Sequence, residues 1–160
     1  MIDWEMFEIL TQTPATSGYE REMQQVMRRY LSRYAKQVYE DHLGSIFGIK
    51  RGHLDGPKVM IAGHMDEVGF MVSRIDAKGF LYFQPLGGWW SQVLLAQQVE
   101  VITATRERIR GIIGSIPPHL LSAEKRKQPV EISQMFIDIG ARSEEEAREW
   151  GIEEGNAIVP

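Results

Sequence analysis

The run Val59-Met60-Ile61-Ala62-Gly63-His64-Met65-Asp66-Glu67-Val68-Gly69 constrains this chain more than any other segment. Apolar residues without polar alternation predict a strand covered on both faces over Lys58-Val59-Met60-Ile61-Ala62. Gly63 ends it, and His64 and Asp66 follow at alternate positions. If extended backbone continues, their side chains leave on one face. An imidazole beside a carboxylate at the end of a buried strand is a way to build a metal site. The carboxylate either ligates or fixes the tautomer of the ligating His. Gly63 and Gly69 permit a turn or a close approach. The same pair also occurs as ordinary hydrogen-bonded residues, and no second set of ligands is evident elsewhere in the sequence.

The chain has 160 residues, enough for one ordinary core or two small ones. Its net charge of −4 gives no argument for a nucleic-acid partner. The one dense basic run, Lys125-Arg126-Lys127, lies between Glu124 and Gln128 and reads as a solvated face. Cysteine is absent, which excludes disulfides, thiolate metal sites and a Cys nucleophile, and fits a reducing cytoplasm. Met1-Ile2-Asp3-Trp4-Glu5 is acidic and lacks the basic and apolar regions of a secretory signal. No apolar run approaches a bilayer span. The expectation is a cytoplasmic protein with neither a membrane nor a nucleic-acid partner.

Trp4 to Leu10 reads as a short helix, broken between Thr11 and Thr16 with the help of Pro14. Ser17-Gly18-Tyr19-Glu20 has the pattern of a capping box, Ser17 capping and Glu20 reaching back. Met23, Val26, Met27, Tyr30, Leu31 and Tyr34 then recur at helical spacing, with Arg21, Gln25, Arg28 and Lys36 opposite. This predicts an amphipathic helix packing on something flat, such as a sheet. Val38 to Glu40 and Ser45 to Ile49 read as strands around the turn Asp41-His42-Leu43-Gly44, and Gly52 to Pro57 as a further turn. Beyond Glu67, short strands are predicted at Phe70 to Ile75, Phe80 to Phe83, Val99 to Ile102 and Arg110 to Ile116, until Pro117-Pro118. Their close spacing suggests a small β-barrel or sandwich. Ser143 with Glu146 makes a second capping box, and Gly151 after Trp150 is a C′ residue. The boundary falls near residue 68, with an α/β part before it and a mostly β part after it.

Several motifs in order resemble the N-terminal part of the M42 family of metallo-aminopeptidases, whose members also carry the names glutamyl aminopeptidase, deblocking aminopeptidase and endoglucanase. They are Thr16-Ser17-Gly18-Tyr19-Glu20, Asp41 to Gly44, Gly63 to Gly69, Pro85-Leu86-Gly87-Gly88-Trp89, Gly114-Ser115-Ile116-Pro117-Pro118-His119-Leu120-Leu121, and Phe136-Ile137-Asp138-Ile139-Gly140-Ala141. The resemblance implies a zinc-peptidase-like α/β catalytic domain, here 1–67, interrupted by an inserted β-barrel domain of PDZ-like fold, here 68–160, that drives oligomerisation. It implies a peptide substrate, cleaved at its N-terminus by water activated between two metal ions, zinc or cobalt. It matches His64 to a metal ligand and Asp66 to the catalytic-site Asp that steadies it. The remaining ligands and the general base would follow the inserted domain, beyond Pro160. A lone His cannot hold a catalytic zinc, which takes about three protein ligands, so this chain alone is expected to be inactive. Self-association to dimers and on to a larger homo-oligomer is expected.

Other residues have two readings each. His119 either stands near the active-site opening or satisfies a turn. Trp89 and Trp90 either border a cavity or interface or anchor the β domain. His42 and His53 lie in turns and read as surface residues. Glu67 is adjacent to the His-x-Asp pair, but alternation points it away from His64. Two other functions compete with a peptidase: a non-catalytic oligomerisation module, and a glycan hydrolase, which needs a carboxylate pair across a cleft that no setting here singles out.

Overall fold

The computed structural model describes residues 3–53 and 56–160. The centre of the turn expected over 52–57 lies outside the described residues, as do the first two residues of the acidic N-terminal stretch. The chain forms two compact units, Met1–Glu67 and Val68–Pro160.

In the first unit, α1 spans Trp4–Gln12 and α2 spans Arg21–Leu31. Asp3 caps α1 by accepting from the Met6 amide at 3.0 Å. The helix outlasts the expected break at Thr11 and stops at Thr13, whose backbone is extended. Pro14 imposes this, because a residue before proline is driven out of the α region. In α2, Met23, Val26 and Tyr30 form the buried stripe. They pack with Ala15 and with Met6, Ile9, Leu10, Met27 and Met65. Tyr34, expected on this stripe, lies beyond the helix end and is exposed. Strands β1 (Gln37–Glu40) and β2 (Ile46–Ile49) form an antiparallel hairpin. At its turn the Asp41 carboxylate accepts from the amides of Leu43 and Ser45, each at 2.9 Å.

Two sequence expectations fail in this unit. Lys58–Ala62 is not a strand: residues 57–66 carry no ladder, and Val59, Met60 and Ile61 are 81%, 88% and 95% exposed. A strand exists only where a neighbour supplies hydrogen bonds, and no described segment lies alongside this one. The first capping box is also not formed. The N-cap of α2 is Glu20, without a side-chain cap, and the Ser17 hydroxyl is engaged elsewhere.

The second unit is a closed antiparallel barrel with strand order β3-β4-β7-β6-β5-β8. The strands are β3 Gly69–Ile75, β4 Leu81–Leu86, β5 Gln98–Ile102, β6 Arg108–Gly114, β7 Phe136–Asp138 and β8 Ala157–Val159. The first four were legible from their alternation. In β5, Val99 and Val101 point inward while Gln98 is exposed; in β4, Leu81 and Phe83 point inward. Closure depends on the two strands that the sequence did not announce. β8 pairs with both β3 and β5. β7 joins β6 to β4, setting Ile137 opposite both Ile113 and Leu81. The core combines Phe70, Val72, Leu81, Val99, Val101, Ile113, Ile137 and Ile158.

Helix α3 (Glu144–Glu149) lies between β7 and β8. Ser143 caps it by accepting from the Glu146 amide at 3.2 Å, while the Glu146 carboxylate accepts from the Arg142 amide at 2.6 Å. So Ser143 acts as expected and Glu146 reaches one residue further back. Gly151 ends the helix at φ +81°. Its amide bonds the Arg148 carbonyl, and the Ile152 amide bonds that of Ala147, the paired bonds of a Schellman end. The Arg148 guanidinium, held by Glu154 and Glu144, is kept protonated beyond its ordinary range.

At Gly111 the barrel wall approaches so closely that an added Cβ would lie 2.4 Å from Ile137 Cγ2 and 3.2 Å from the Asp138 carbonyl oxygen. Gly111→Ala should therefore destabilise the barrel by about 1–3 kcal/mol through overpacking. Ile137→Ala should destabilise it by about 2–5 kcal/mol through the cavity it leaves. Urea unfolding followed by circular dichroism checks both, with a lowered midpoint at unchanged slope expected for each.

Candidate functional site

The first unit brings together three polar side chains from two segments that are far apart in sequence. Backbone pairing brings them there. The Glu67 amide donates to the Ala15 carbonyl at 2.8 Å, and the Glu67 carboxylate accepts from the Ala15 amide at 3.1 Å. Thr16 and Glu67 form an isolated parallel bridge. Ala15 and Thr16 are buried, which fixes this contact within the unit. Glu67 thus turns away from His64, as alternation predicted.

The next residue on each side carries the chemistry. The Ser17 hydroxyl donates to Asp66 Oδ2. Asp66 Oδ1 lies 3.0 Å from His64 Nδ1, and the Asp66 backbone carbonyl lies 2.8 Å from the same nitrogen. Both partners of Nδ1 are acceptors, so the hydrogen-bond pattern assigns the ring hydrogen to Nδ1. Nε2 is left with its lone pair, and the His64 side chain is 84% exposed. The Ser17 hydroxyl, and after it the His64 ring, hold the Asp66 carboxyl below the ordinary carboxylate range. An ionised Asp66 accepts from both neighbours at once.

This arrangement presents one imidazole nitrogen, oriented by a carboxylate, to an approaching electrophile, proton or metal ion. It does not amount to a catalytic metal centre. Among the described residues no group of three or more His, Asp or Glu side chains converges, and a catalytic zinc takes about three protein ligands. His64 and Asp66 fit one arm of such a centre.

The other candidates separate. Trp89 is an anchor: its ring stacks on Phe70 with centroids 4.7 Å apart, and its indole donates to the Gly69 carbonyl at 2.9 Å. Trp90, its neighbour, is 65% exposed. His119 is exposed on the 3₁₀ turn Pro118–Leu120. His42 and His53 are exposed, as expected. Lys125–Lys127 is a solvated 3₁₀ turn. No helix among the described residues is long and apolar enough to cross a membrane. Sequence reasoning missed Ser17 as a partner of Asp66. Its signal was a capping-box pattern that both a cap and a distant acceptor could use.

The model of the M42 glutamyl aminopeptidase family matches residues 44–160. The chain belongs to this family. It is 44% identical over 156 residues to FrvX of Escherichia coli, covering 98% of this chain and 43% of that protein. Among solved structures, the TET aminopeptidase of a marine-sediment Thaumarchaeota archaeon is similar at 49% identity with a TM-score of 0.92, over 98% of this chain and 44% of that one. The TET1 peptidase of Pyrococcus horikoshii, which can assemble into a tetrahedron or a large octahedral shell, is similar at 31% identity with a TM-score of 0.83, over 98% of this chain and 46% of that one. The chain therefore spans less than half the length of these relatives. The family's aminopeptidases are generally metal-dependent.

Thr16, at the centre of the bridge, is 1% exposed, and its hydroxyl has no hydrogen-bond partner among the described residues. A buried hydroxyl without a partner costs about 1–3 kcal/mol. Thr16→Val, which keeps the shape, is expected to be neutral or stabilising by about 1 kcal/mol. Thermal unfolding of the two chains side by side checks it; a clear loss of stability would mean that the hydroxyl is satisfied.

Proposed function

We propose that this chain is the N-terminal part of a metal-dependent aminopeptidase, with His64 as a metal ligand and Asp66 as the carboxylate that steadies it. The observation that carries the reading is how the His64 ring is held. Its Nδ1 faces two acceptors and its side chain is otherwise largely exposed, in a chain that matches the M42 glutamyl aminopeptidase family. A ligand imidazole commonly donates its other nitrogen to a carboxylate or carbonyl, and loss of that partner typically costs about 10- to 100-fold in affinity or activity. In this reading residues 1–67 are part of the catalytic α/β domain. The barrel of 68–160 is an inserted, PDZ-like domain. The substrate is a peptide with a free N-terminus, the full site holds two ions of zinc or cobalt, and the protein works in the cytoplasm, in keeping with its lack of cysteine.

The 160-residue chain supplies one ligand arm, so it should not turn over an amino-acid anilide with zinc or cobalt present. Turnover that survives controls for contaminating peptidase, and that disappears in His64→Ala, would contradict this. In a full-length protein carrying these residues, Asp66→Asn should reduce activity and metal content about 10- to 100-fold with the fold intact. Normal activity and metal content there would remove Asp66 from the role.

Self-association is part of the same proposal. A relative at 31% identity is a shell-forming peptidase. In this chain Trp90, Val93, Ile112, Ile116 and Leu120 leave large apolar surface exposed on the barrel unit, and such surface favours association. Dimers and a larger homo-oligomer are expected, with contacts mainly from the barrel. Sedimentation of the chain at micromolar concentration should show species above the monomer; a clean monomer there would refute it.

A further inference from the structure

We propose that Ser17 is a positioning residue for this site: by donating to Asp66 Oδ2 it leaves Oδ1 for His64 Nδ1 and, together with the Asp66 backbone carbonyl on the same nitrogen, holds the ring with Nε2 outward. The inference rests on the reading of His64 as a ligand only for its purpose, not for its geometry. An ionised carboxylate has two oxygens and no hydrogen to give. Oδ2 is occupied by the Ser17 hydroxyl, and Oδ1 meets Nδ1 at 3.0 Å. Without the hydroxyl, the His64 ring is the one described side chain that still hydrogen-bonds the Asp66 carboxylate, which is then less restrained about its side-chain bonds.

The backbone around Ser17 supports this role. The Ala15–Glu67 bonds and the Thr16–Glu67 bridge fix the Ser17 backbone beside Asp66. Immediately afterwards the chain turns, with the Tyr19 amide donating to the Thr16 carbonyl at 2.8 Å and the Gly18 amide to the Glu20 carboxylate at 2.8 Å. Glu20, expected to complete a capping box with Ser17, thus braces the turn instead. Ser17 is free of any helix-capping duty, so its hydroxyl serves the Asp66 contact alone. Ligand orientation by a chain of hydrogen bonds, hydroxyl to carboxylate to imidazole, extends the usual carboxylate–histidine pair by one member.

The test reads the tautomer directly and needs neither metal nor turnover. Long-range proton–nitrogen NMR of the whole chain, in alkaline buffer, distinguishes the two neutral forms of His64, with His42, His53 and His119 as internal references. The wild type should show Nδ1–H predominating at His64 alone. Ser17→Ala should lower the Nδ1–H to Nε2–H ratio about two- to fivefold, the Asp66 carbonyl remaining as an acceptor for Nδ1, with the amide spectrum otherwise unchanged. Ser17→Thr, which keeps the hydroxyl, should restore it. Should Ser17→Ala perturb the fold, Ser17→Gly, which likewise removes the donor, reads the same ratio. An unchanged ratio in either folded variant overturns the proposal. A zinc titration in the same spectra addresses the separate reading: Ser17→Ala should weaken any zinc response at His64 by up to about tenfold. A tautomer shift without a zinc response supports the positioning role of Ser17 and counts only against the ligand reading of His64.

Discussion

The pair of hydrogen bonds between Ala15 and Glu67 is the contact on which the candidate site depends. Each residue gives the other an amide and takes one back, through a carbonyl on one side and a carboxylate on the other. That reciprocity leaves no ambiguity of register. It brings Ser17 to Asp66 and so determines how the His64 ring is presented. Ala15 packs with the Met23, Val26 and Tyr30 stripe of α2, and Thr16 beside it is also buried. Water competes poorly for hydrogen bonds under such cover, and the lower local dielectric strengthens them. The helix therefore contributes to the site without touching it.

Much of the fold could be read from the chain because the relevant signals were local. The α2 stripe, the alternation in β4 and β5, the Ser143 cap and the Gly151 stop each depend on residues within a few positions of one another. β7 and β8 are three residues each, too short for any period to register. Their strand character comes from the neighbours on both sides, which tertiary structure alone supplies. The error at Lys58–Ala62 has the same origin with the opposite sign. An apolar β-branched run has the propensity for a strand, but propensity without a partner makes no ladder.

The site was half legible. His64 and Asp66 could be paired from their spacing, and the geometry brings their side chains together. Ser17 could not be assigned, since the same Ser-x-x-Glu pattern serves a helix cap and a turn equally well. The partner that decided it lies 49 residues away, beyond the reach of any local rule. Trp89 and Trp90 were likewise indistinguishable as letters. In the folded chain one indole stacks on Phe70 and the other is exposed to solvent.

The pairing of β3 with β8 has a topological consequence. These strands are the first and last of the barrel, and they run antiparallel, with Phe70 opposite Ile158 and Met71 opposite Ala157. Entry to and exit from the unit are therefore side by side. For a host chain, spanning such a unit is equivalent to closing a very short loop, and the entropy of loop closure rises only slowly with length in any case. A barrel built in this way can be carried in the middle of another domain's sequence while leaving that domain's own chain path nearly continuous, and it can change its outer surface without disturbing the fold that carries it.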